Sequence, residues 1–131
     1  MLNAVGSLNG AFYTYPSTSK PTWSNWAPNN AATDMTCLIN DDPQQMFEMR
    51  TALTSMPQAD AGATAPIVAT ANSGAPNYIS GFTIGAVPTV VNQLKLLGLT
   101  RDTQNQDVSA AGSVWRVMIS NHILGNNAVG I

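Results

Sequence analysis

Residues 34–57, DMTCLINDDPQQMFEMRTALTSMP, predict a strand that is followed directly by a helix. Alternating apolar positions favour a strand over residues 34–40. The buried face of this strand would hold Met35, Cys37 and Ile39. Asp42 is a favourable N-cap, Pro43 suits the first position of a helix, and Pro57 ends it. Between them, hydrophobic residues recur at the spacings of three and four that are typical of a helix, and they are Met46, Met49, Leu53 and Met56.

The same kind of pattern predicts the elements that follow. Strands are predicted at residues 66–71, 78–84 and 113–121, and a second helix at residues 88–97. The order strand–helix–strand–strand–helix–strand is the split βαββαβ, or ferredoxin-like, order, in which two helices cover one face of an antiparallel sheet. We therefore predict an α+β body over residues 34–121. The content of Thr, Val, Gly and Asn leaves an all-β jelly roll or sandwich open as the alternative.

The segment before this body is rich in proline and aromatic residues. Residues 1–33 contain three prolines, which interrupt helices and deny hydrogen bonds to a sheet, although residues 11–15 favour a short strand. Disordered tails lack aromatic residues, so an extended N-terminal arm that docks on a neighbour is predicted. The Gly- and Asn-rich C-terminal tail, residues 122–131, is expected to do the same. The residues expected at this interface, or at a ligand, are Phe12, Tyr13, Tyr15, Trp23, Trp26 and Ile131.

The chain carries unusually little charge for one with so many hydrophobic residues. Charged residues make up 9% of it and hydrophobic residues 44%, whereas an average soluble domain has roughly 25% charged residues. Its net charge is −2, and its five basic residues are scattered along the sequence. Nucleic acid binding needs several cations on one face, and a membrane surface needs a basic cluster, so neither partner is expected. A neutral polar surface suits contact with other protein subunits instead.

The residue types that commonly carry catalysis or bind metals form no recognisable motif in this sequence. Cys37 and His122 are the only cysteine and the only histidine, so the chain offers no zinc ligand set. Cys37 lies in an apolar run and is predicted to be a small buried hydrophobic residue. His122 has no nucleophile elbow to accompany it, so a hydrogen-bonded histidine at the end of a strand is expected. We therefore predict that the protein is not an enzyme and binds no cofactor or metal.

Three functions remain open from the sequence. The leading hypothesis is a structural subunit of a symmetric assembly, such as a capsid, decoration or tail protein of a virus or phage particle. Its partners would be copies of itself or other structural subunits. It would be made in the cytoplasm without a signal peptide and would end in a virion or another extracellular assembly.

Two alternatives come from the aromatic residues. A glycan- or protein-binding module would use Trp23 and Trp26, because indole rings bury a large area and serve as interface anchors. A small RNA-binding split-βαβ domain would stack bases on Tyr78 and Phe82. The two alternatives predict different ligands for two different parts of the chain.

Overall fold

This chain folds into short antiparallel strands. The computed structural model describes residues 4–29, 31–52, 55–75, 78–87, 92–104, 107–108 and 111–125. These residues form nine strands in three antiparallel sheets, with one 3₁₀ turn and no α-helix. The strands are β1 (Ser7–Tyr15), β2 (Lys20–Ser24), β3 (Thr36–Asn40), β4 (Met46–Arg50), β5 (Thr64–Ala65), β6 (Ile67–Val68), β7 (Thr83–Ile84), β8 (Leu94–Leu99) and β9 (Val114–Ile119), and the turn is Gln58–Asp60. Within the same residues, no helix is long and apolar enough to cross a membrane.

A four-stranded sheet with the order β4-β9-β8-β5 carries the hydrophobic core. Successive side chains of a strand point to opposite faces, so every second residue of these strands faces the core. Val117 of β9 pairs with Phe47 of β4 on one side and with Leu96 of β8 on the other. The buried residues that these strands contribute are Ala65, Leu94, Leu96, Trp115, Val117 and Ile119. β9 lies between two partners and confirms the strand predicted at residues 113–121.

A smaller layer completes this core. β6 and β7 pair with each other, and Ile84 of β7 is fully buried together with Met56. The backbone N–H of Ile67 donates a hydrogen bond to Oε1 of Gln93 at 2.9 Å, which ties β6 to the start of β8. Thr51, directly after β4, forms an isolated bridge with Ile84. The β6–β7 pair is therefore joined to both sides of the four-stranded sheet.

The N-terminal strands form a separate three-stranded sheet with the order β2-β1-β3. A tight turn joins β1 to β2, and in it the backbone N–H of Ser19 donates to the carbonyl of Tyr15 at 2.8 Å. On the other side of β1, β3 pairs in a register that shifts by a β-bulge between Leu8 and Gly10. A bulge of this kind bends a strand and fixes its register. β1 is thus the centre of a small sheet with two edge strands.

Two contacts tie this sheet to the rest of the fold. Ala4 forms an isolated parallel bridge with His122, which is 2% exposed. Nδ1 of His122 accepts a hydrogen bond from the backbone N–H of Leu124 at 3.0 Å, as expected for a hydrogen-bonded histidine shortly after the last strand. Trp26, which follows β2, stacks on Tyr78 with ring centroids 4.5 Å apart. Both contacts join the N-terminal sheet to segments that belong to the other half of the chain.

The prediction of an α+β, ferredoxin-like body is wrong, because β4 lies within the first predicted helix and β8 begins within the second, at Leu94. Residues 88–91 of the second helix lie outside the described residues. Pairing of β4 with β9 supplies its backbone hydrogen bonds and turns Phe47 and Met49 toward the core, and this tertiary context overrides local helix propensity. Asp42 caps no helix, since its carboxylate accepts a hydrogen bond from the backbone N–H of Gln44 at 2.8 Å within a turn. The three antiparallel sheets agree with the sandwich alternative.

The structure also corrects the prediction that residues 1–33 are an extended arm. This segment contains β1 and β2, and β3, which the sequence assigns to the body, completes their sheet. The short strand predicted at residues 11–15 lies within β1. Cys37, predicted to be buried, is exposed. It lies on β3, an edge strand in which four of the five residues are exposed. The last residues of the predicted tail, 126–131, lie outside the described residues.

Candidate interaction surface

One face of the three-stranded sheet exposes three adjoining apolar side chains, Phe12, Trp23 and Leu38, which we call the aromatic face. Phe12 pairs with Trp23 across β1 and β2, and opposite residues of an antiparallel pair project to the same face. Their ring centroids lie 4.4 Å apart at an interplanar angle of 51°. Phe12 is 53% exposed, Trp23 45% and Leu38 47%. About half of each large side chain is therefore open to a partner.

Gly10 allows the indole of Trp23 to lie across the central strand. A Cβ atom at residue 10 would be 2.3 Å from Cζ2 and 2.4 Å from Cη2 of Trp23. Because glycine has no side chain, one side of the indole packs on the backbone of β1 while the rest stays exposed. Trp23 is thus held against β1 within the chain itself, and a side chain held in this way would lose less entropy on binding a partner.

A carboxylate near the aromatic face ties β1 to the segment that leads into β3. Oδ1 of Asp34 accepts a hydrogen bond from the backbone N–H of Thr14 at 3.0 Å, and Oδ2 accepts one from the Thr14 hydroxyl at 2.6 Å. The hydroxyl first, and then the backbone N–H, lower the pKa of Asp34 below its usual value because they stabilise the ionised form. A shallow hollow of about 190 Å³ lies between Asp34 and Phe12. Asp34 therefore holds the sheet together at the border of its exposed face.

We expect the Asp34→Asn variant to lose acid sensitivity that this carboxylate confers. Because the folded chain lowers the pKa of Asp34, the ionised form stabilises the fold above about pH 4, and this contribution is lost as the pH falls through the lowered pKa. The thermal unfolding midpoint, followed by tryptophan fluorescence, should be lower than the parent's at neutral pH and should fall less on acidification.

Asp60→Asn is the matched control for this prediction. Asp60 lies in the 3₁₀ turn outside the three-stranded sheet, and the described residues provide no hydrogen bond to its carboxylate, so this variant should keep the parent's thermal midpoint at neutral pH. If Asp34→Asn and the parent lose stability equally between neutral and acidic pH, the Thr14–Asp34 contact does not contribute as inferred.

Both tyrosines predicted at the interface lie on the side of this sheet opposite the aromatic face. Tyr13 is next to Phe12 in β1, so its side chain points to the opposite face, where it is 7% exposed. Tyr15 shares that face with Tyr13, and their ring centroids are 6.4 Å apart. Tyr15 is 42% exposed at the end of the strand. Successive side chains of β1 thus place Phe12 and the two tyrosines on opposite faces of the sheet. The structure leaves Tyr13 little surface for a partner.

The two predicted tryptophans also lie in different surroundings. Trp26 is half-buried and stacks on Tyr78 at an interplanar angle of 25°. Trp23 contacts Phe12 instead. Ile131, the last of the predicted residues, lies outside the described residues. Of the predicted set, the structure brings Phe12 and Trp23 together on one exposed face.

Sequence reasoning missed Gly10 and Leu38. Leu38 reaches the aromatic face only because β3 pairs with β1, where Leu38 is opposite Gly10. The alternation of side chains along a strand could have indicated Leu38, since a strand with Cys37 and Ile39 on one face must place Leu38 on the other. The contact between Gly10 and Trp23 could not be predicted from the sequence pattern, because it depends on the register in which β1 pairs with β2.

The residues considered for chemistry are not gathered into one place. In the described part of the chain, no three His, Cys, Asp or Glu side chains lie close enough to hold a metal ion. Cys37 is exposed on β3, whereas His122 is buried beside Ala4. That the protein is not an enzyme and binds no cofactor stays a prediction.

No family model matches this chain, and it matches neither a curated protein nor a solved structure. The observations that bear on function are therefore the aromatic face, the distribution of charge and the exposed hydrophobic side chains. They define a class of molecule, a small all-β chain with an open apolar face.

Proposed function

We propose that this protein is a structural subunit of a symmetric assembly, of the class that builds a virus or phage particle. The aromatic face is one of its contacts with neighbouring subunits, which are copies of the same chain or other structural proteins. The subunit acts by filling a place in the assembly, without catalysis and without a cofactor. Its final location is a virion or another extracellular assembly.

The observation that carries this proposal is the exposure of large hydrophobic side chains. Twelve of them in the described residues are at least 40% exposed. Exposed hydrophobic residues that are scattered need no explanation, but a contiguous apolar patch marks an interaction site. Phe12 contacts Trp23, and Leu38, opposite Gly10, lies on the same face of the sheet. Two of the three are aromatic, the type that is enriched at interface centres. The aromatic face therefore has the composition of an interface core.

The low charge of the chain is consistent with the same role. A free protein whose net charge is near zero tends to associate, whereas a subunit uses a neutral surface to pack against its neighbours. Charged residues make up only 9% of this chain, and its net charge is −2. Association is thus the behaviour that this composition favours.

The alternatives receive less support from the structure. A glycan platform made of Trp23 and Trp26 together is not favoured, because Trp26 stacks on Tyr78 whereas Trp23 contacts Phe12 at a tilted angle. The RNA-binding alternative depended on a split-βαβ sheet, and the described fold has none. Tyr78, one of the two residues expected to stack on bases, packs on a tryptophan instead.

Light scattering behind a sizing column, at physiological salt and over a range of protein concentrations, tests the proposal. We expect a discrete species many times heavier than the 13.8 kDa chain, because several surfaces must be covered at once. A monomer at every soluble concentration, with tryptophan fluorescence quenched by an oligosaccharide, would contradict the assembly and favour the binding module.

A further inference from the structure

A second exposed surface, on the outer side of the four-stranded sheet, collects three of the five basic residues. Arg50, Lys95 and Arg116 alternate with core residues along β4, β8 and β9, so their side chains point away from the core. We call this surface the basic face. Glu48, opposite Arg116, is the one carboxylate on the four strands. Cations that are scattered in the sequence therefore meet on one side of the sheet.

Arg116 has a hydrogen-bonding group that its own chain leaves unused. Its Nε atom is buried and has no hydrogen-bond partner in the described part of the chain. A buried polar group without a partner is costly, and more so on a charged side chain. A cleft of about 660 Å³ lies beside Arg116 and is also lined by Arg101 and Thr100. Because Nε is buried, a carboxylate that entered this cleft would meet the part of Arg116 that stays accessible, together with the exposed Arg101. Guanidinium groups bind carboxylates with strong, charge-assisted hydrogen bonds.

The three-stranded sheet and its flanking turns carry the opposite charge. Residues 4–42 contain one cation, Lys20, and three carboxylates, Asp34, Asp41 and Asp42, and so have a net charge of −2. The basic face, with three cations and one carboxylate, has a net charge of +2. In the described residues, none of the three aspartates forms an ion pair with a cation of the basic face. One chain thus presents two complementary surfaces that do not satisfy each other.

We propose that the basic face of one subunit binds the acidic turn at Asp41 and Asp42 of a second copy, with Arg116 as the main partner of the carboxylates. Asp41 is exposed, and its carboxylate makes no hydrogen bond within the described chain. This inference rests on the proposed function, for which it names a second contact. The contact joins two different surfaces head to tail, so each bound copy offers the same pair of surfaces to further copies.

Two charge reversals in the full-length chain test this contact. Arg116→Glu makes the basic face more acidic, and Asp41→Arg makes the acidic turn more basic. Like charges then face each other, so each variant alone should need about tenfold more protein than the parent to assemble, as measured by light scattering. An equimolar mixture of the two should assemble near the parent's concentration, because each reversed surface finds its opposite on the other variant. Lys20→Glu is the control, since Lys20 lies at the start of β2, on the opposite edge of the sheet from β3 and outside the acidic turn and the basic face, and this variant should assemble as the parent does.

The outcomes separate this contact from the function on which it rests. Because Arg116 is half-buried, Lys95→Glu repeats the test at an exposed position of the same face, and circular dichroism checks that each variant is folded. Folded variants that fail to assemble even when mixed would overturn the contact, because the restored charge pair would then not restore assembly. Variants that each assemble like the parent would also overturn it and leave the assembly intact. A parent chain that never assembles would overturn both proposals.

Discussion

Replacing Phe12 with serine should leave a folded chain that no longer assembles. Phe12 is 53% exposed, so its loss removes little of the packing that holds the chain together. Its cross-strand contact with Trp23 contributes about 0.2–1 kcal/mol to the free energy of unfolding, against a total of about 5–15 kcal/mol for a domain. An aromatic anchor at the centre of an interface is worth about 2 kcal/mol or more, which is about thirtyfold in affinity for each contact. An assembly repeats that contact, so the losses accumulate.

Phe82→Ser is the matched control for this variant. Phe82 is 50% exposed, nearly the same as Phe12, but it lies outside the aromatic face. Light scattering should show the parent's particle for Phe82→Ser and a small species for Phe12→Ser, while both keep the parent's circular dichroism. If both variants assemble equally well or equally badly, the aromatic face has no special part in the contact.

The second large effect is expected from Trp115→Ala, which should destabilise the chain by about 3–5 kcal/mol. Trp115 is completely buried on the central strand β9, and its indole N–H donates to the Ser113 hydroxyl at 3.3 Å. The substitution leaves a cavity between β4 and β8 and removes much of the apolar surface that folding buries. A domain of this size should lose roughly 12–20 °C in its thermal midpoint, measured by calorimetry.

Met118→Ala on the same strand is the control. Met118 is half-buried on the outer side of the sheet, where it pairs with Met46 of β4. Its loss should cost less than about 1.5 kcal/mol, because the side chain already contacts solvent. An equal loss of stability in the two variants would mean that β9 is covered on both faces, and the basic face could then not be an open surface.

How far the fold could be predicted depends on how local each signal is. β9 was predictable because Val114–Ile119 is almost continuously apolar and is long enough to be recognised by itself. β4 was not, because Met46, Phe47 and Met49 satisfy the spacing of a helix as well as the alternation of a strand. The strand forms because β9 lies beside it, and β9 comes more than sixty residues later in the sequence. The residues near β4 in the sequence therefore cannot decide between a helix and a strand.

The candidate interface also combines features that are local in the sequence with features that depend on strand pairing. Phe12 and Trp23 could be chosen as candidate interface residues from their type and from the low charge of the chain. Their contact was not predictable, because it is set by the turn between β1 and β2 and by the absence of a side chain at Gly10. Tyr13 could have been separated from Phe12 by the strand period alone, once the length of β1 is known. Pairing between distant strands is thus the step that composition and spacing do not provide.

The two edges of the three-stranded sheet have different consequences for chains that have not yet assembled. Thr14 donates its N–H to Asp34, on the side away from β2, so the nitrogen of its partner Pro21 lies on the outer edge of β2. Proline has no N–H, so this edge cannot be extended by another strand, whereas β3 contains no proline. Two chains that join through β3 would leave only their β2 edges open in this sheet. Growth of the three-stranded sheet in unassembled chains should therefore stop at pairs instead of continuing into a fibril.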